Sequence, residues 1–95
     1  MARRTELSEL AQGFALLSDT TRLGILKILA DGPQNVTALV KTLGSKPPTV
    51  SGHLGLLRLG RRVVGTRKAK TVEYATQAAH LKALAVGIAK LTPKK

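Results

Sequence analysis

The chain has 95 residues, 43% hydrophobic but only 2% aromatic, with no cysteine and a formal net charge of +11 from 16 basic against 5 acidic residues. That length fits one small domain whose core must come from leucine, isoleucine, valine and alanine, a composition that favours helices. Without cysteine, disulfides, thiol catalysis and thiolate metal sites are excluded; the charge repels itself unless a polyanion neutralises it.

The N-terminus, "MARRTELSEL", is basic at first, but Glu6 and Glu9 interrupt it and no continuous apolar stretch follows. It therefore does not read as a signal or transit peptide, and the whole chain is expected to be mature protein. Leu7, Leu10, Ala11, Phe14 and Leu17 then recur at three-four spacing, which predicts an amphipathic helix from about Thr5 to Leu17. Next comes "SDTTRLGILKILADGP", with cap-type residues at Ser18 to Thr20 and an apolar series at Leu23, Ile25, Leu26, Ile28 and Leu29, ending at Gly32-Pro33.

Asn35 and Val36 read as a brief extended link, with Thr37 capping a short helix over "ALVKTLG" that Gly44 ends. Pro48 suits the first turn of another helix, where its missing N–H costs nothing. From there Val50, Leu54 and Leu57 line one stripe, leaving Thr49, Ser51, Gly52, His53 and Arg58 around the rest. Two helices joined by a short turn, the second fronted by small polar residues, make a helix-turn-helix, about 37–59. In that motif the front of the second helix enters the major groove, where small side chains permit close approach to base edges.

After Gly60 the period changes. "RRVVGTRKAKTVEYAT" gives two β-rich runs, Arg62 to Arg67 and Thr71 to Thr76, around Lys68-Ala69-Lys70. A cationic hairpin behind a helix-turn-helix is the wing of a winged helix, about 62–76, placed to reach phosphate or the minor groove. The last segment, about 78–91, sets Leu81, Leu84, Ala85, Ile88 and Leu91 on one face. This helix and the first hold more apolar surface than one trihelical core covers. Leu7, Leu10, Phe14, Leu81, Leu84, Ile88 and Leu91 are thus expected to join a second copy across a two-fold axis.

From Lys41 to Lys70 the chain holds Lys41, Lys46, Arg58, Arg61, Arg62, Arg67, Lys68 and Lys70 and not one Asp or Glu. A solvated basic face kept for solubility and an anionic membrane surface are the competing explanations. A membrane-lying helix would want aromatic anchors, and Phe14 and Tyr74 are the only aromatics; no apolar run approaches the ~20 residues that span a bilayer. Nucleic acid is the partner that fits.

The run "ALLSDTTRLGILKILADGP", then "VTALVKTLGSKPPTVSGHLGLLR", then a wing ending "VEYA", resembles the ArsR/SmtB family of winged-helix repressors over about Phe14 to Tyr74. The resemblance implies a mainly α fold with a small β-hairpin (α-α-α-α-β-β-α), dimers through the first and last helices, and repression from inverted-repeat operators until an inducer releases them. It also marks departures. Where many members carry a Cys-x-Cys metal pair, this chain has Asn35 and Thr37. Where others carry an Asp-x-His followed by later ligands, only His80 matches, with Ala78, Leu91 and Lys94 at the remaining positions; one imidazole of four ligands does not hold zinc. Gly52 replaces a residue that is usually larger, and Arg61 and Arg62 replace an acid-containing helix end.

The resulting expectation is a homodimeric winged helix, one domain over residues 1–95, that binds double-stranded DNA and regulates transcription, as a repressor. Thr49, Ser51 and His53 would read bases beside Gly52, and Lys46, Arg58, Arg61, Arg62, Arg67, Lys68 and Lys70 would hold phosphates. No cofactor, metal or membrane is expected, and the location would be the prokaryotic cytoplasm, with the nucleoid. Catalysis is not: Ser51 and His53 sit two apart on a helix, pointing to different faces, with no carboxylate near them in sequence. Two other readings stay open. One is an architectural protein that coats or bends DNA with little sequence preference; the other is an adaptor whose basic face meets an acidic protein. The sequence does not say which signal, if any, releases the DNA.

Overall fold

The computed structural model describes residues 4–90, without the side chains of Thr5 and His80. In chain order it contains α1 (Arg4–Leu16), α2 (Thr20–Leu29), β1 (Gln34–Asn35), α3 (Val36–Leu43), α4 (Pro47–Leu59), β2 (Val63–Lys68), β3 (Thr71–Thr76) and α5 (Ala78–Ala89). The helices and hairpin form the winged helix-turn-helix, with one addition. The sheet has three strands, in the order β1-β3-β2.

That third strand corrects the extended link expected at Asn35 and Val36. Gln34 pairs with Tyr74 and Asn35 with Glu73, antiparallel. Val36 is already helical, because Asn35 rather than Thr37 caps α3: its side-chain oxygen accepts the Ala38 N–H at 2.9 Å from an extended backbone. Gly44 closes that helix in the left-handed conformation, φ 68°, its N–H returning to the Val40 carbonyl. Likewise α4 begins at Pro47 rather than Pro48, so both prolines occupy the first turn, where an N–H would have had no partner.

The core lies where α2, α3, α4 and the root of β2 meet. Ile25, Leu26 and Leu29 of α2, Leu39 of α3, Val50, Leu54 and Leu57 of α4, and Val63 of β2 are buried together. Val50, Leu54 and Leu57, spaced over about two turns, therefore fix one face of α4 to the body and leave its other face outward. Tyr74, half-buried, closes the core from the sheet side.

α1 packs on α5 and touches the end of α4. At that junction Gly60 lies close under Leu16, whose side-chain end a Cβ there would have to push aside. Gly60 has φ −81°, so the chain reverses one residue later, through a left-handed Arg61 at φ 60°. The Arg62 N–H then bonds the Leu57 carbonyl at 2.8 Å and the Arg62 carbonyl accepts from Gln77 at 2.8 Å, which ties the helix end to both strands of the hairpin.

Candidate nucleic-acid interface

Along α4 the exposed surface begins with Lys46, Pro47, Pro48, Thr49, Ser51 and Gly52. No side chain caps this N-terminus; because Pro47 and Pro48 supply no N–H to its first turn, the Lys46 ammonium is the main attraction for an anion there. Nothing lies within 4 Å of the Cβ that Gly52 lacks, so packing does not demand glycine there. Further along, Arg58 is exposed in the last turn, as are Leu56 and Leu59, with Leu59 80% exposed.

The hairpin projects beyond the core. Only Val63 of β2 is buried, and from Thr66 to Lys70 every residue is exposed. Lys68 pairs with Thr71 across a two-residue turn whose first residue, Ala69, has φ 54°. A positive φ at that position alone is the pattern of a type II′ turn, which splays neither strand and holds Arg67, Lys68 and Lys70 at the tip.

One acid enters this cationic group from outside the acid-free segment. Thr66 faces Glu73, and Lys68, two residues on along the same face, reaches back so that its Nζ lies 3.3 Å from Glu73 Oε1. Glu73→Gln is expected to free the Lys68 ammonium and raise affinity for duplex DNA about two- to five-fold, the range of an exposed ion pair. Filter binding of the two proteins at one salt concentration checks this, and equal affinities would contradict it.

His53 is placed differently from Thr49 and Ser51. It is half-buried against the start of α2, its Nδ1 3.4 Å from Arg22 Nη1 and 3.8 Å from Asp19 Oδ2. Asp19 also caps α2, accepting the Arg22 N–H at 3.0 Å, while Arg22 Nε donates to the Leu16 carbonyl at 2.6 Å. The Arg22 backbone bond holds the Asp19 carboxyl below its ordinary 3.8, against the opposing effect of burial and with help from the His53 charge. A lowered carboxylate pKa contributes stability above the unfolded value, so this cap weakens only as pH falls through the range below 3.8. Neither Asp19 nor Arg22 stands out in the sequence as a partner of α4; the "SDTTR" cap is the available signal.

The paired arginines separate. Arg61 is exposed at the reversal after α4, whereas Arg62 turns under it toward α1, its Nη1 donating to the Gly60 carbonyl and its Nη2 lying beside Gly13. The structure thus leaves Thr49, Ser51, Gly52 and Arg58 exposed on α4, Ser51 and Arg58 on one flank and Thr49 on the other, with Lys46 at the N-cap and Arg67, Lys68 and Lys70 on the hairpin, while His53 and Arg62 face inward.

Of the apolar residues expected at a subunit interface, Leu84 is buried within its own chain against Gly13, and Leu10 packs on Gly87. Phe14 and Leu81 are half-buried, Leu7 and Ile88 are about half exposed, as is Val86, and Leu91 lies outside the described residues. No described helix is long and apolar enough to cross a membrane, and no three His, Cys, Asp or Glu side chains come together among the described residues.

Comparison with known proteins agrees with this architecture. The pattern described as "Bacterial regulatory protein, arsR family" matches residues 19–59, the stretch from the α2 cap to the end of α4. The HTH-type transcriptional regulator KmtR of Mycobacterium tuberculosis is 36% identical over 73 residues, covering 77% of this chain and 56% of that protein. The arsenical resistance operon repressor of Escherichia coli is 38% identical over 64 residues, covering 66% and 55%; the chain spans little more than half the length of these two relatives. Among solved structures, an ArsR-like transcriptional regulator from Rhodococcus sp. RHA1 superposes with a TM-score of 0.80 at 28% identity, over 90% of this chain and 80% of that one. A homodimeric winged helix-turn-helix DNA-binding domain from Mycobacterium bovis gives 0.75 at 27% identity, over 99% and 92%.

Proposed function

Because the chain belongs to the ArsR family of bacterial regulatory proteins, a family of regulators rather than enzymes, we propose that it is a homodimer that binds double-stranded DNA at inverted repeats, in the nucleoid, and represses transcription. The observation that carries this reading is that the front of α4 and the hairpin tip are both exposed and cationic, with the small, hydroxyl-bearing Thr49 and Ser51 on the former. Thr49 and Ser51 would meet base edges, and Lys46, Arg58, Arg61, Arg67, Lys68 and Lys70 would meet phosphates. His53 would act through its grip on α2, fixing the angle at which α4 enters the groove, more than by touching a base. Arg62 would hold the end of α4. Subunits would join through the uncovered apolar residues of α1 and α5, Leu7, Val86 and Ile88 among them.

Selection of duplexes from a random pool tests the reading, since an enriched palindrome is expected. Against that palindrome, Ser51→Ala should relax preference at particular positions, and Lys70→Ala should weaken all sequences alike. A pool that stays unenriched would support the second reading, an architectural protein with little sequence preference. One observation favours that second reading: with His53 turned toward Asp19, Thr49 and Ser51 are the exposed hydrogen-bonding side chains left at the front of α4.

Gly52 yields a prediction with two opposite signs. An exposed glycine inside a helix costs about 1 kcal/mol relative to alanine, and here a methyl group meets no neighbour. Gly52→Ala should therefore stabilise the fold by about that amount in urea denaturation, yet lower duplex affinity, because the methyl holds the backbone off the groove floor. A variant that gained both stability and affinity would remove Gly52 from the interface.

A further inference from the structure

At the C-terminal end of α4, a cleft of about 590 Å³ opens between α1, the end of α4 and α5. Its size falls in the range of small-molecule sites. Its lining includes Glu6 and Glu9 from α1, Arg61 and Arg62 from the segment after α4, and the apolar Leu16 and Leu84. Neither glutamate forms an ion pair with either arginine. Opposite charges therefore face a shared space without neutralising each other, over an apolar patch.

Arg62 adds an independent sign. Its Nε is buried and has no hydrogen-bond partner, although its Nη1 is satisfied by Gly60. A buried N–H left unpaired costs about 1–3 kcal/mol in a folded protein, and such groups are few. Because Arg62 lines the cleft, an acceptor bound there could supply the missing bond.

Two of the residues expected at a subunit interface, Leu10 and Leu84, line the cleft but pack within their own chain on Gly87 and Gly13, while Leu7, Val86 and Ile88, proposed to meet a second subunit, do not line it. Glu6, Glu9, Gly13 and Leu16 follow one stripe of α1, and Leu7, Ala11 and Phe14 follow the next, offset by one residue or about 100° around the helix.

We propose that this cleft binds a small amphiphilic zwitterion, its amine toward Glu6 and Glu9, its acid group toward Arg61 and Arg62, and its apolar body over Leu16 and Leu84. A free apolar amino acid and a short apolar peptide share this chemistry. Because Arg61 and Arg62 join the end of α4 to β2, an occupant would sit at the hinge between the two parts of the DNA-facing surface. The binding itself is independent of DNA and can be tested without it.

The experiment titrates the full chain, without DNA, with L-leucine and with the dipeptide Leu-Leu, following backbone amide resonances. Two single-function analogues, 4-methylpentanoate and isopentylamine, serve as comparisons. A saturable shift is expected at Gly13, Gly60 and Arg62 with at least one zwitterion, at about tenfold or more lower concentration than with either analogue, the loss expected when a charged hydrogen-bond partner is missing. Which zwitterion saturates first distinguishes the free amino acid from the peptide. Glu9→Gln should bring the zwitterion's affinity down toward that of 4-methylpentanoate. Arg61→Asn, which suits the left-handed backbone there, should bring it toward that of isopentylamine. The proposal is overturned if no zwitterion shifts these amides at millimolar concentration, if the analogues bind equally well, or if the variants change nothing. It is equally overturned if the same amides shift with protein concentration alone, which would make the cleft a contact between copies of the chain.

Discussion

Raising salt from 50 to 200 mM is expected to weaken duplex binding by about 10³–10⁵-fold if the dimer neutralises roughly six to ten phosphates. The exposed cations that face outward with α4 and the hairpin are Lys46, Arg58, Arg61, Arg67, Lys68 and Lys70. Three to five of these in each of two subunits reach that number. Each phosphate neutralised releases counterions and contributes about −0.9 to the slope of log affinity against log salt. Lys70→Ala should make the slope shallower by about two units, one from each subunit. Lys68→Ala should do less, because Glu73 already shares its ammonium. Fluorescence anisotropy across a salt series measures both. A salt-independent affinity would remove phosphate contact from the mechanism, and equal effects of the two lysines would remove the role given to Glu73.

Truncation of the anchor of α4 should have the largest effect on the fold. Leu54 is 1% exposed and lies among Ile25, Leu29, Leu39, Val50 and Leu57 in one cluster. Leu54→Ala is expected to cost about 2.7–5 kcal/mol, the lost transfer energy plus the cavity left behind. A domain of this size has about 5–15 kcal/mol in total, so a substantial fraction of its stability would go. Leu54→Met keeps the volume and should cost less than about 1.5 kcal/mol. Urea denaturation followed by circular dichroism measures the pair; if both variants lost equally little, α4 would not be held by this cluster. Because α4 bears both the core stripe and the exposed face, DNA binding should fall with stability in the alanine variant and survive in the methionine one.

The helices were legible because leucine spacing repeats over many residues: Val50, Leu54 and Leu57 define a face whatever surrounds them. β1 was not legible, since Gln34 and Asn35 are two polar residues with no alternation, and they become a strand only by pairing with Tyr74 and Glu73 some forty residues away. The same distance hid the placement of several candidate site residues. Arg61 and Arg62 are adjacent in sequence, yet the left-handed backbone of Arg61 sends one to solvent and the other under α1. Glu73 lies outside the acid-free stretch in sequence and inside the cationic cluster in space, because the two-residue turn folds it back. The inward turn of His53 depends on the cap of α2, an element thirty residues earlier. Periodicity specifies which face of an element is apolar; it does not say which polar groups from other elements meet there.

Asn35 holds two parts of the molecule at once, its backbone in the strand beside β3 and its side chain on the first turn of α3. The β-arm cannot swing without dragging the start of α3, and α4 follows through the core they share. On the proposed target, the gap between rod and arm is therefore gauged before encounter, as in a fixed calliper. Duplexes whose groove geometry differs from that gauge must deform to fit, so local DNA stiffness should contribute to the choice of site even at base pairs that no side chain reaches.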